Sequence, residues 1–179
     1  MIDFIHLLSI IYVKRVYVNL IILASIVLNT KWAFMHFMHD NINRADILVR
    51  MLVIDDFYNK NDFGFNLYTE MQHARSRTNQ FMPKHQIDYK DKFCDLITSF
   101  ENGYNTDHPI ILNKNKELLD GPHRMALSLY NDIPKIPAVV YDEDFSVDYS
   151  INWFNQNGLC HFIPYIMAKY EEVLKRCKE

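Results

Sequence analysis

The stretch ELLDGPHRMALSLY (residues 117–130) sets Asp120, Gly121, His123 and Arg124 almost side by side in a chain with only four glycines. A glycine permits a backbone geometry, or a close approach of another segment, that a side chain forbids. Pro122 suits the first turn of a helix, because its φ is already helical and its missing N–H would have no partner there. The next amides present free N–H groups at the positive end of the helix dipole, a place for phosphate or another anion. His123 and Arg124 add side-chain donors at the same point, and a guanidinium can grip two phosphate oxygens at once. Asp120 could orient the arginine, hold a metal riding on phosphates, or take a proton from a hydroxyl. The plainer alternative is a capped helix, with Asp120 as N-cap and His123 and Arg124 on the surface. As local chemistry the two stand level.

The flanking elements must position these groups. YKDKFCDLITSFEN spaces Phe93, Leu96, Ile97 and Phe100 at i, i+3, i+4 and i+7, an amphipathic helix closed by Gly103. HPIILN reads as a short buried strand, KNK as a polar turn, ELLD as a second strand and HRMALSLYND as a helix. IPAVVYDE is a third, β-branched strand launched by Pro134 and Pro137. YSINWFNQNG and HFIPYIMAKYEEVLKRCKE read as two helices divided by Gly158. Upstream, Trp32, Met35, Phe37, Met38 and Ile42 fall at helical spacing, with Asn29 or Thr30 as cap. LVRMLVIDDFY either ends that helix or forms a strand, and NKNDFGFN is a loop broken by Gly64. FNLYTEMQHARSR is a helix with Phe65, Tyr68 and Met71 or Gln72 on one side. Arg75 and Arg77 near its end complement the helix dipole or hold the anionic group of a ligand.

At 179 residues the chain fits one domain, and its apolar and aromatic content can bury a core. The pattern is α+β (or α/β), with residues 1–30 as an apolar N-terminal segment and 31–179 as a single domain. A net charge of −3 gives no global pull toward nucleic acid or anionic membrane. The three cysteines lack ligand spacing, which points to neither disulfides nor zinc and makes a reducing cytoplasm the default. His36 and His39 are three apart with no third ligand at a familiar offset, so no metal site is assigned. Residues 4–28 are strongly apolar, split by Lys14 and Arg15, and their second run is short for a membrane span. Three readings stand for them: a buried packing segment, a membrane-associated or signal-like segment, or sequence upstream of a true start near Met35 or Met38.

The ordered array Gly103, Pro109 and Ile110, Asp120 and Gly121, His123 and Arg124, Ala126, and Ile136 and Pro137 resembles the ParB/sulfiredoxin-like superfamily over about residues 83–142. That family runs from a helix ending in Gly through a PI strand, a turn and DGxHRxxA to a helix before an IPV strand. The chain is most similar to DGxHR proteins found among surface-polysaccharide genes and to the free serine kinases of this fold, and SINWFNQNGL also looks like the former. The resemblance implies a small mixed sheet flanked by helices, with extra helices at both ends, and a nucleotide- or phosphate-binding loop of Gly121, Pro122, His123 and Arg124. It implies ATP or ADP with Mg²⁺ as cofactor. In the serine kinases a glutamate in a PHE run is the catalytic base. The matching run here is MPKHQ, where Pro83 matches and His85 or Gln86 replaces the acid. Asp88, Glu70 and His85 are the candidates to take its place. Where sulfiredoxin has a cysteine before the His-Arg pair this chain has Pro122, which argues against sulfinic-acid reduction.

The expected function is therefore a nucleotide-dependent phosphotransferase acting on a small hydroxylated metabolite or sugar precursor, linked to surface-polysaccharide or metabolite modification. Asp120, His123, His85 and Asp88 are its catalytic candidates, and Arg75, Arg77 and Glu70 its substrate-binding candidates. The alternatives are a non-catalytic ParB-like nucleotide switch and a DNA-binding or nuclease protein, the latter disfavoured by the charge balance. The expected location is the cytoplasm, with membrane contact through residues 4–28 as the variant.

Overall fold

The structure, a computed structural model, describes residues 22–78, 89–103, 105 and 107–178. It is a mixed α+β domain. Strand β1 (Ile22–Asn29) leads into helices α1 (Thr30–Phe37), α2 (His39–Ile42), α3 (Ala45–Asn59), α4 (Phe63–Thr78) and α5 (Tyr89–Phe100). Strands β2 (Ile110–Leu112) and β3 (Leu118–Asp120), helix α6 (Pro122–Tyr130), strand β4 (Lys135–Tyr141) and helices α7 (Ile151–Gln156) and α8 (Ile163–Lys178) complete it. The strand order is β1-β4-β2-β3, with β2 and β4 parallel and the outer pairs antiparallel.

The strands after residue 108 follow the sequence pattern, and β1 does not. Part of the apolar run read as a separate N-terminal segment is an edge strand, paired with β4 from Ile22↔Tyr141 to Asn29↔Lys135. The boundary drawn at residue 30 therefore falls inside the sheet-forming unit. Leu23 and Val27 on this strand are 53% and 65% exposed, so its apolar character serves strand formation more than burial. Among the described residues, no helix is long and apolar enough to cross a membrane.

The run left open between helix and strand, LVRMLVIDDFY, lies in α3, at the centre of the helical layer. This helix is buried on nearly every side and touches α4, α6 and α8. Alternate residues of the sheet, Ile110, Leu112, Ile136, Ala138 and Val140, close the core from below. Lys60 ends α3 in the left-handed conformation at φ +57, and buried Asp56 accepts the Phe65 amide at 3.1 Å, fastening the start of α4. The β2–β3 turn is held by fully buried Asn113, whose Oδ1 accepts the amides of Asn115 and Glu117.

Gly64 is not a loop breaker. It sits in the first turn of α4, where a Cβ would lie 2.4 Å from the Leu52 carbonyl oxygen of α3. Absence of a side chain lets the two helices of this hairpin approach. Gly64→Ala is expected to cost about 1–3 kcal/mol in urea unfolding, the range for overpacking a filled interface; an unchanged midpoint would show that α4 can shift freely.

Candidate functional site

Strand β3 delivers the opening motif to one place. Leu118 and Leu119 are buried, Asp120 ends the strand exposed and opposite Ile111, and Gly121 takes φ +93 before α6 begins. A Cβ on Gly121 would lie 2.8 Å from Ile110 Cγ2 and 3.1 Å from an Arg124 guanidinium nitrogen. Both the left-handed backbone and the close pass of β2 thus require glycine. Pro122 occupies the first turn as expected, and the Gly121 carbonyl accepts the Met125 amide at 3.0 Å. The N-cap is Gly121 and not Asp120, so no side chain caps this helix, and its first N–H groups and dipole end remain available for an anion.

His123 points into a junction of three helices. Its Nε2 lies 2.8 Å from the Tyr68 hydroxyl of α4, and its ring meets Phe93 of α5 edge-on at 4.6 Å between centroids. Burial, then the positive charges of Arg50, Arg75 and Arg124, hold its pKa well below the usual histidine value. The imidazole is neutral at pH 7, so it acts as a hydrogen-bond partner or base and not as a cation for transferring charge. With Nε2 engaged by Tyr68, Nδ1 is the nitrogen left for a ligand.

Behind this junction lies a charged cluster. Asp46, fully buried in α3, takes Arg44 in bidentate fashion at 2.8 and 2.9 Å and Arg50 Nη1 at 3.0 Å. Arg50 also donates to the Asp46 carbonyl at 2.6 Å and stands 5.5 Å over the Tyr68 ring. Arg44 reaches the Leu118 carbonyl of β3, coupling the cluster to the strand that carries Asp120. Burial alone would raise the Asp46 carboxyl, but Arg44 and Arg50, with Arg75 beyond them, hold it below the ordinary aspartate value. Arg75 donates to the Tyr149 hydroxyl at 2.7 Å and to Gln72 at 2.9 Å, with its guanidinium 4.9 Å over the Tyr149 ring. Arg50 Nε is buried without a partner.

Arg124 donates to the Pro109 carbonyl at 3.2 Å, lies 3.9 Å from Asp120, and has a buried Nε without a partner. Arg44, Arg50, Arg75 and Arg124 thus face one buried carboxylate, Asp46, and one half-exposed carboxylate, Asp120. The sequence-derived candidates divide accordingly. Asp120, Gly121, Pro122, His123 and Arg124 lie together at the β3–α6 turn, and Arg75 adds its charge near His123. Glu70 and Arg77 are exposed and sit two positions from Tyr68 and Arg75, on the other side of α4, so the helix does not bring them to the site. His85 and Asp88, with Pro83 and Gln86, lie outside the described residues. Among the described residues no group of three or more His, Cys, Asp or Glu side chains could hold a metal ion.

Sequence reasoning missed Arg44, Asp46, Arg50 and the functional placement of Tyr68. The signal was present in NRADILVR, where three charges interrupt an apolar run too continuous to offer a polar face.

Asp46→Asn leaves two buried guanidiniums without their counter-charge and is expected to destabilise by about 3–5 kcal/mol in urea unfolding; a loss below 1 kcal/mol would show that the cluster is wet. For His123, whose folded-state pKa is depressed, the unfolded chain takes up the proton first as pH falls below about 6.5. Stability should therefore fall with decreasing pH, by up to about 1.4 kcal/mol per pH unit from this group. His123→Asn should lose that component, so subtracting its profile from the wild-type profile isolates it, and parallel profiles would disprove a neutral buried imidazole. Comparison with protein-family models, curated proteins and solved structures finds no match to this chain.

Proposed function

We propose that the chain binds the phosphates of a nucleotide at the start of α6 and transfers a phosphoryl group to a small hydroxylated metabolite, in keeping with its resemblance to the ParB/sulfiredoxin-like superfamily. The observation that carries this is the excess of guanidinium charge around His123 beside a helix start that no side chain caps. A bound dianion relieves the repulsion among Arg50, Arg75 and Arg124 and takes the free amides. Glycine at 121 lets the Arg124 guanidinium lie against the turn. Arg124, pre-set by Pro109 and Asp120, supplies charge as it develops on the transferring group. His123 Nδ1 offers a neutral contact to a phosphoryl oxygen or to the acceptor hydroxyl. Asp120, a carboxylate more than half exposed beside Arg124, is the residue that would hold a Mg²⁺. That ion would neutralise phosphate charge.

A second reading, a nucleotide-responsive switch without turnover, has its own support. Arg124 is bonded to the chain's own Pro109 carbonyl, so an anion that draws the guanidinium away also releases the loop between α5 and β2.

Thermal unfolding with ATP, ADP or CTP, each with Mg²⁺, tests the binding. Saturation at 100 times Kd is expected to add about 2.7 kcal/mol, and Arg124→Lys should lose most of that gain. No response to any nucleotide would overturn both readings. Transfer of labelled γ-phosphate to a metabolite extract then separates the transferase from the switch.

A further inference from the structure

A cavity of about 600 Å³ lies away from the α6 start. It opens between the end of α1, the β2–β3 turn and residues 146–152, within the 300–1,000 Å³ usual for small-molecule sites. Its chemistry is opposite to that of the arginine cluster. The floor carries Arg44, but that charge is already matched by the bidentate contact with Asp46, and one guanidinium nitrogen is spent on Leu118. Two carboxylates face the cavity, Glu117 and Asp148. Each has one oxygen fixed within its own loop, Glu117 by Asn113 at 2.7 Å and Asp148 by the Ser150 amide at 2.8 Å, which leaves the other oxygen free to accept.

Three amides, Asn43, Asn115 and Asn152, join His39, Ser146 and Ser150 in the polar lining, and the amide side chains form no hydrogen bond with another described residue. Each offers two donors and an acceptor in one plane. On the apolar side stand Phe37, Leu118 and the ring of His36, itself stacked on Trp32 at 5.0 Å with the planes 8° apart. Two fixed carboxylates repel phosphate and nucleotide. Planar amides and carboxylate oxygens satisfy adjacent hydroxyl groups, which are donor and acceptor at once, while the ring wall accepts a C–H face.

We propose that this cavity binds an uncharged polyhydroxylated ring, a monosaccharide or a sugar unit of a larger glycan. The site goes beyond the phosphate assignment and does not depend on it: its residues are other than those at the α6 start, and it stands if no nucleotide binds.

Saturation-transfer NMR on the full chain with methyl glucoside, methyl galactoside, N-acetylglucosamine, glucose 6-phosphate and putrescine tests it. At least one neutral sugar should show transfer and glucose 6-phosphate less. Asn115→Ala with Asn152→Ala should weaken that sugar at least about tenfold, equivalent to about 1.4 kcal/mol. Both positions are exposed, so far-ultraviolet circular dichroism and melting temperature should not move. Arg124→Lys should leave the sugar signal intact, which separates this site from the nucleotide reading. Absence of transfer to every neutral sugar, binding of putrescine in their place, or sugar binding unaltered by the double substitution would each overturn the proposal.

Discussion

The contact on which the rest of the structure depends is the Asp46 carboxylate between Arg44 and Arg50. A single buried aspartate would be costly, and so would either guanidinium. Together they form a charged stem at the start of α3, satisfied by four short hydrogen bonds to the carboxylate and its own carbonyl. Arg44 carries this stem to β3 through Leu118 and makes it the floor of the neighbouring cavity. Arg50 carries it under Tyr68, whose hydroxyl holds His123. Strand, helix and imidazole are therefore aligned by one carboxylate, and Arg50, Arg75 and Arg124 add positive charge around that imidazole.

Much of this was readable from residue order where the residues are local. The run from YKDKFCDLITSF to IPAVVY names its own helices and strands, because periodicity switches cleanly between 3.6 and 2 and prolines and glycines mark the joints. Gly121 was readable for the same reason: a glycine between strand and proline has few other uses. Gly64 was not, since its role is set by a helix that passes over it and not by its neighbours in sequence. α3 was ambiguous because a helix buried all round has no polar face to betray its period. β1 was opaque because its partner lies more than a hundred residues away.

The site divides along the same line. Asp120 to Arg124 came from a local motif and lies at one strand-to-helix turn. Glu70 and Arg77 were placed with Arg75 as substrate contacts, but a two-residue step on a helix turns about 200°, just past a half-turn, which sets Arg77 opposite Arg75 and Glu70 opposite Tyr68. Tyr68, Arg50 and Asp46 joined the site from separate turns of two helices that cross only in three dimensions. Their warning was charge where the pattern demanded apolar residues.

The pairing of β1 with β4 has a consequence for how the chain reaches this form. Asn29 meets Lys135 and Ile22 meets Tyr141, so the sheet's edge closes a loop that contains helices α1 to α6 and the Gly121 turn. The other strand pairs, β2 with β3 and β2 with β4, join segments much closer along the chain. Long closures are entropically the slowest to form, so contact order places β1 among the last elements to dock. The α6 start can be assembled on β2, β3 and β4 before that strand arrives, which leaves the first described strand as a fastening added to a sheet already built.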